Sequence, residues 1–182
     1  MKVEELKKEV GIPEDLNVKI DGKMVIVKGP KGENSRIFLY PKLELSQEGN
    51  KIILLAKNAT KREKTMIGTY SAHIKNLLVG VKDGFDYKLK VCSGHFPMTV
   101  AVEKNKVMIN NFMGEKIPRK AKISQGVDVK IEGDIIIVSG YDKEKVGQSA
   151  ANIELATRRT GFDKRVFQDG CYIFSKVGKE IR

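Results

Sequence analysis

The stretch VKIDGKMVIVKGPKGE at residues 18–33 aligns without a gap on VAVEKNKVMINNFMGE at residues 100–115, an offset of 82. Val18 meets Val100, Ile20 meets Val102, and Val25-Ile26-Val27 meets Val107-Met108-Ile109. Gly32-Glu33 meets Gly114-Glu115. Downstream, EGNKIILL at 48–55 meets EGDIIIV at 132–138, and Gly80 meets Gly161, each expected to close a helix. Self-similarity at a fixed period determines the architecture. It gives two tandem similar modules, residues 1–82 and 83–182, with Lys82-Asp83-Gly84 as the whole hinge.

Within each module the hydrophobic period changes once. VKI (18–20), MVIVK (24–28), RIFLY (36–40), LELS (43–46) and KIILLA (51–56) read as strands. Met66, Ile67, Tyr70, Ile74, Leu77, Leu78 and Val81 then form one helical stripe. Thr60-x-x-Glu63 fits a capping box at its start. The second copy reads YKLKV (87–91), MTVAV (98–102), KVMI (106–109), KAKI (120–123), VDVKI (127–131) and IIIVSG (135–140). A helix over 142–160 follows, with Val146, Ala150, Ile153 and Thr157 on its buried face. Residues 2–9, KVEELKKE, suit a short helix stopped by Gly11-Ile12-Pro13. The fold class is therefore α+β, each module an antiparallel sheet with one main helix packed on it.

Net charge of +11 points to a polyanionic partner, nucleic acid before membrane. The first twenty residues do not read as a signal peptide, and no apolar run reaches spanning length. Cys92 and Cys171 stand singly, which is no disulfide framework and fits a reducing, cytoplasmic setting. Gly29-Pro30-Lys31-Gly32 reads as a hairpin turn and not a nucleic-acid clamp, and no phosphate-binding GxxxxGK[ST] loop is present. Cys92-x-x-His95 lacks the further ligands a closed zinc site needs, so Cys92 reads as packed and His95 as hydrogen-bonded. Glu132 and Asp134 flank Gly133 in a hairpin turn. With two histidines in total, no catalytic triad suggests itself, and neither a cofactor, a metal nor a small-molecule substrate is expected.

Total charge does not separate the modules: 16 basic against 10 acidic residues in 1–82, and 18 against 13 in 83–182. Arginine does, because five of the seven lie in the second half. Arginine's planar fork grips phosphate and stacks on bases, whereas lysine is a point charge. Arg158, Arg159, Arg165 and Arg182 form one group, and Lys116, Arg119, Lys120 and Lys122 another, on a hairpin loop. Phe167 and Tyr172 interleave with the C-terminal bases, either to stack on RNA bases or to pack in the core.

GQSAANI at 147–153 and RVFQDGCYI at 165–173 resemble the archaeal and eukaryotic branch of the large-subunit ribosomal protein L-six family. SGHFPM at 93–98 and GEK at 114–116 with Arg119-Lys120 resemble the same family's second module. Cys171 departs from the family's aliphatic residue there, a swap within an apolar strand. The resemblance implies a structural constituent of the large subunit, not an enzyme. It implies binding of 23S ribosomal RNA near the sarcin–ricin loop and the stalk base, beside neighbouring large-subunit proteins, in support of assembly and translation. On this chain the contacts map to the stretch after the second helix with Lys164, to the RVFQDG turn, and to the tail Lys176, Lys179 and Arg182. Asp169-Gly170 reads as a tight turn that lets backbone approach RNA. The first module is then a spacer or protein-contact module. The alternative, an RNA-processing or RNA-modifying enzyme on the same surface, would have to use Asp163 and Asp169.

Overall fold

The computed structural model describes residues 3–163 and 165–181. The chain divides between Gly84 and Phe85 into two compact units. Each holds two antiparallel sheets and one long helix, the expected α+β plan with its strands divided between two sheets.

The first unit runs β1 (Val3–Gly11), β2 (Asn17–Asp21), β3 (Met24–Gly29), β4 (Gly32–Ile37), β5 (Glu44–Glu48), β6 (Lys51–Ala59) and α1 (Lys61–Lys82). Its sheets are ordered β1-β6-β5 and β2-β3-β4. The apolar stripe of α1 lies against β6, β1 and β3. Ile67, Ile74 and Val81 meet Val25, Val27, Ile52 and Leu54 in a dry aliphatic core. Each such side chain contributes about 1.5–3 kcal/mol by leaving water.

Three local expectations change here. Residues 3–11 form β1 and not a helix, pairing with β6 from Val3↔Ala59 to Gly11↔Lys51. Leu6 and Val10, which pack on the core, are four apart, a spacing both the helical and the strand period satisfy. An unpaired edge on β6 decides between them. β4 ends at Ile37, which pairs with Met24 at the start of β3, so RIFLY is not one strand although buried Phe38 and exposed Leu39 continue its alternation. Helix α1 also runs past Gly80, which is buried within it, and stops at Gly84. Gly84 takes φ +80° and donates its N–H to the carbonyls of Gly80 and Val79, the left-handed exit that glycine allows without penalty.

At its other end α1 carries the expected capping box. The Thr60 hydroxyl donates to Glu63 Oε2, the Thr60 N–H donates to the same oxygen at 2.9 Å, and the Tyr40 hydroxyl donates to Oε1 at 2.7 Å. These bonds, the Thr60 hydroxyl first, hold the Glu63 carboxyl far below the ordinary carboxylate range. A depressed folded-state pKa stabilises above the unfolded value and the effect is lost as pH falls. Glu63→Gln is thus expected to lower the melting temperature at neutral pH and to make little difference in strong acid, in thermal melts run across pH.

The second unit runs β7 (Phe85–Cys92), β8 (Thr99–Glu103), β9 (Lys106–Asn110), a single 3-10 turn (Phe112–Gly114), β10 (Arg119–Lys122), β11 (Val127–Glu132), β12 (Ile135–Gly140), α2 (Lys143–Ala156), β13 (Gly170–Lys176) and β14 (Lys179–Glu180). Its sheets are ordered β10-β9-β8 and β11-β12-β7-β13-β14. Asp142 caps α2 by accepting from the N–H groups of Glu144 and Lys145. Val146, Ala150 and Ile153 face Leu89, Ile136 and Val138, all fully buried. Helix α2 ends at Ala156, four residues short of the expected end at Thr160, and Gly161 lies in the following loop at φ +86°. The turns at Gly29–Gly32 and Gly133 close hairpins as read from sequence.

The chain after α2 returns as β13 and pairs along β7 from Gly170↔Cys92 to Lys176↔Tyr87. This brings Cys92 and Cys171, far apart in sequence, onto adjacent strands. Cys171 sits opposite Val91 and not Cys92, and both thiols are free. Burial pushes the Cys171 thiol up to about 12, so it behaves as a small apolar core residue. No helix among the described residues is long and apolar enough to cross a membrane.

Candidate nucleic-acid interface

Two features of the second unit gather the residues singled out from sequence. The first is the loop from Thr157 to Asp169 that carries the chain from α2 to β13. Asp169 anchors its far end. It accepts from the Gly94 N–H at 2.7 Å and the His95 N–H at 3.0 Å through Oδ1, and its Oδ2 lies 2.5 Å from His95 Nδ1. Burial opposes ionisation of this carboxyl, but the bonds from His95 and Gly94 outweigh it and hold the group below the ordinary aspartate range. The His95 ring stacks on Phe167 at 4.9 Å, Phe162 meets Phe167 edge-on at 5.0 Å, and the Arg159 guanidinium lies 4.2 Å over Phe162. At the near end, the Thr157 hydroxyl donates to the Glu154 carbonyl and accepts the Cys171 N–H. The loop is thereby tied to α2, β13 and the segment after β7.

Arg119 completes the frame. Its Nε and Nη2 donate to the two oxygens of Glu115 at 2.7 and 2.6 Å, and Nη1 donates to the carbonyls of Ala156 at 2.9 Å and Arg158 at 3.3 Å. The same group lies 4.3 Å over the buried Phe112 ring. Arg119 therefore satisfies carbonyls that the end of α2 leaves open. Between loop, helix end and 3-10 turn lies a pocket of about 270 Å³, its walls including Met113, Leu155, Phe162 and Tyr172.

The second feature is a groove of about 580 Å³ beside β9 and β10, lined by Lys106, Lys120, Lys122 and Lys145 with only neutral residues between them. Lys122 sits directly opposite Lys106 in the β10–β9 ladder. Like charges so placed repel. Lys145 has Asp142 at 3.9 Å, and Glu103 faces Lys106 from β8.

The residues marked from sequence thus divide. Lys116, Lys120, Lys122, Arg158, Arg165, Lys176 and Lys179 are exposed. Arg165 pairs with Asp163 at 3.0 Å. Arg119, Arg159 and Phe167 are engaged within the unit, and Tyr172 is 43% exposed with its hydroxyl 3.4 Å from the Asp169 carbonyl. Asp169-Gly170 is not an open turn for RNA. Gly170 is buried at φ +151°, and a Cβ there would meet the Thr157 hydroxyl at 3.3 Å and the Tyr172 ring at 3.4 Å, so its close approach is to its own chain. Lys164 and Arg182 lie outside the described residues. Sequence reading missed Lys106 and Lys145, which come from separate elements, and the pocket residues Met113, Leu155 and Phe162. The acids an enzyme reading would use are engaged, Asp163 by Arg165 and Asp169 by Gly94 and His95.

The family model for ribosomal protein L6 matches residues 12–84 and again residues 96–170. The chain belongs to the ribosomal protein L6 family. One L6 match falls in each unit, which accounts for the internal repeat. The large ribosomal subunit protein uL6 of Methanothrix thermoacetophila is 48% identical, over 96% of this chain and 99% of its own length. The uL6 proteins of Methanobrevibacter smithii and Methanococcus vannielii are 47% and 45% identical, over 94% and 97% of this chain and 96% and 97% of their own lengths. These L6 relatives are archaeal and are named as ribosomal proteins, not enzymes. The second L6 match ends at Gly170, so the loop after α2 lies inside it and most of β13 beyond it.

Proposed function

We propose that this chain is a structural constituent of the large ribosomal subunit, and that its second unit binds 23S ribosomal RNA near the sarcin–ricin loop and the stalk base. The lysine groove carries this reading. Four lysines converge from β9, β10 and α2, two of them directly opposed, with no carboxylate in the lining. A phosphate backbone laid along the groove relieves that repulsion and releases condensed counterions. Exposed Lys116, Arg158, Arg165, Lys176 and Lys179 extend the basic surface. Phosphate contacts position the protein, and the folded shape of the RNA supplies selectivity. Neighbouring ribosomal proteins border this site in the cytoplasmic ribosome, and the first unit acts as spacer or protein-contact module.

The test is the salt dependence of binding by the full chain to 23S ribosomal RNA. With about 5 phosphates engaged, log K falls against log salt with a slope of roughly −3.5 to −4.5. Changing Lys106, Lys120, Lys122 and Lys145 together to Gln is expected to flatten that slope by roughly 3. A flat response in the parent chain would overturn the reading.

A further inference from the structure

We infer that the pocket between the end of α2 and the Thr157–Asp169 loop receives a single unstacked nucleobase of the bound RNA. This rests on the RNA-binding reading and adds a second kind of contact to it. The volume, about 270 Å³, falls just below the range of ligand clefts and suits one ring system, not an extended chain. Its walls suit a flat ring: Met113, the exposed Leu155, the edge of the Phe162–Phe167 pair, and Tyr172 on β13. Base faces stack on such side chains with little regard to sequence.

The charges around it favour a nucleotide over an apolar protein side chain. Arg158 and Arg159 line the pocket, and Arg158 is exposed with its guanidinium in no ion pair among the described residues. A base entering from solvent brings its phosphate past that group. Arg159 is held over Phe162 with Nη1 3.5 Å from Met113 Sδ, so the wall is set before any ligand arrives. The acids in the lining are also fixed: Asp169 accepts from Gly94 and His95, and Glu154 Oε1 accepts the Ile173 N–H at 3.2 Å. The Glu154 carboxylate gives the pocket an acceptor for an N–H on the edge of a base.

The first measurement is zero-length ultraviolet crosslinking of assembled large subunits, read by mass spectrometry. A mononucleotide adduct on Tyr172, Phe162 or Met113 is expected. Adducts confined to the groove, or a neighbouring protein's side chain crosslinked into the pocket, would overturn the inference. The second is binding of 23S ribosomal RNA by Tyr172→Ala and by Leu155→Trp, which narrows the pocket. Affinity is expected to fall on the order of 5- to 100-fold with the salt slope unchanged, because the base loses its seat and no phosphate contact is lost, and exposed Leu155→Trp should do so with the parent's melting temperature. Parent affinity in both variants sinks the pocket while leaving the RNA reading intact; salt-independent binding by the parent chain sinks the reading itself.

Discussion

Asp169→Ala is expected to destabilise the second unit by about 2–4 kcal/mol, among the largest effects of any polar substitution in the chain. Asp169 is 7% exposed, and its carboxylate accepts three hydrogen bonds, two from backbone and one from the His95 ring. Removing it strands those donors and frees the far end of the Thr157–Asp169 loop. Gly94 and His95 are themselves exposed and regain water, which keeps the cost below the sum of three charged bonds. The His95–Phe167 stack loosens with the loop, so on the proposed function the binding of 23S ribosomal RNA is expected to fall as well. Hydrogen exchange resolved by peptide should show lost protection at 93–98 and 157–170 and none in the first unit. The pH dependence is fixed in sign. The folded-state carboxyl titrates below its ordinary value, so its contribution is complete above about pH 4 and is lost as pH falls further. The gap between parent and variant should therefore close in strong acid. An equal gap at every pH would show that the cost comes from lost packing and not from the carboxylate.

How far the sequence discloses this architecture depends on which forces are local. The offset of 82 holds where β-alternation is under core control: Val25 and Val27 are fully buried, and so are their counterparts Val107 and Ile109, while Ile26 and Met108 lie half-buried between them. The cap at Thr60 and the turns at Gly133 and Gly29–Gly32 are equally legible, because each depends on a few adjacent residues. Segments decided at a distance are not. Residues 3–11 satisfy two periods, and only β6 chooses between them. The end of α2 is set by the Arg119 guanidinium, 37 residues earlier in the chain. Gly170 reads as a turn until the Thr157 hydroxyl and the Tyr172 ring are placed against it.

The same comparison explains why two copies of one frame do not carry one site. Between β3 and β4 the first unit uses two residues, Pro30 and Lys31, whereas between β9 and β10 the second uses eight, Asn111 to Pro118. That longer connection brings Phe112, Met113 and Glu115. Helix α2 is shorter than α1, 14 residues against 22, and β13 follows it where the first unit has no strand after its helix. The pocket, the Asp169 anchor and the Arg119 frame all draw on these differences. The groove draws on the shared frame instead. Arg36, on β4 where β10 carries its lysines, is the first unit's one basic residue in that strand, so the difference there is one of surface charge.

Arg119→Ala separates a structural from an RNA-contacting arginine. Read from sequence, Arg119 belongs with Lys116, Lys120 and Lys122 as a phosphate contact. In the folded unit its fork is closed on Glu115 and on the carbonyls of Ala156 and Arg158, with its face on Phe112. The loss of this group is expected to cost about 2–4 kcal/mol, since Glu115 and the end of α2 lose their partner together. Arg119→Lys should recover little of it, because an ammonium cannot span a bidentate carboxylate and two carbonyls at once. The salt slope of RNA binding should stay at the parent value in both variants, while Lys122→Gln lowers it by about 0.7–0.9 with no loss of stability. If Arg119→Lys instead melts like the parent and Arg119→Ala flattens the slope, the fork opens toward phosphate when RNA binds, and the helix end must be held by something other than Arg119.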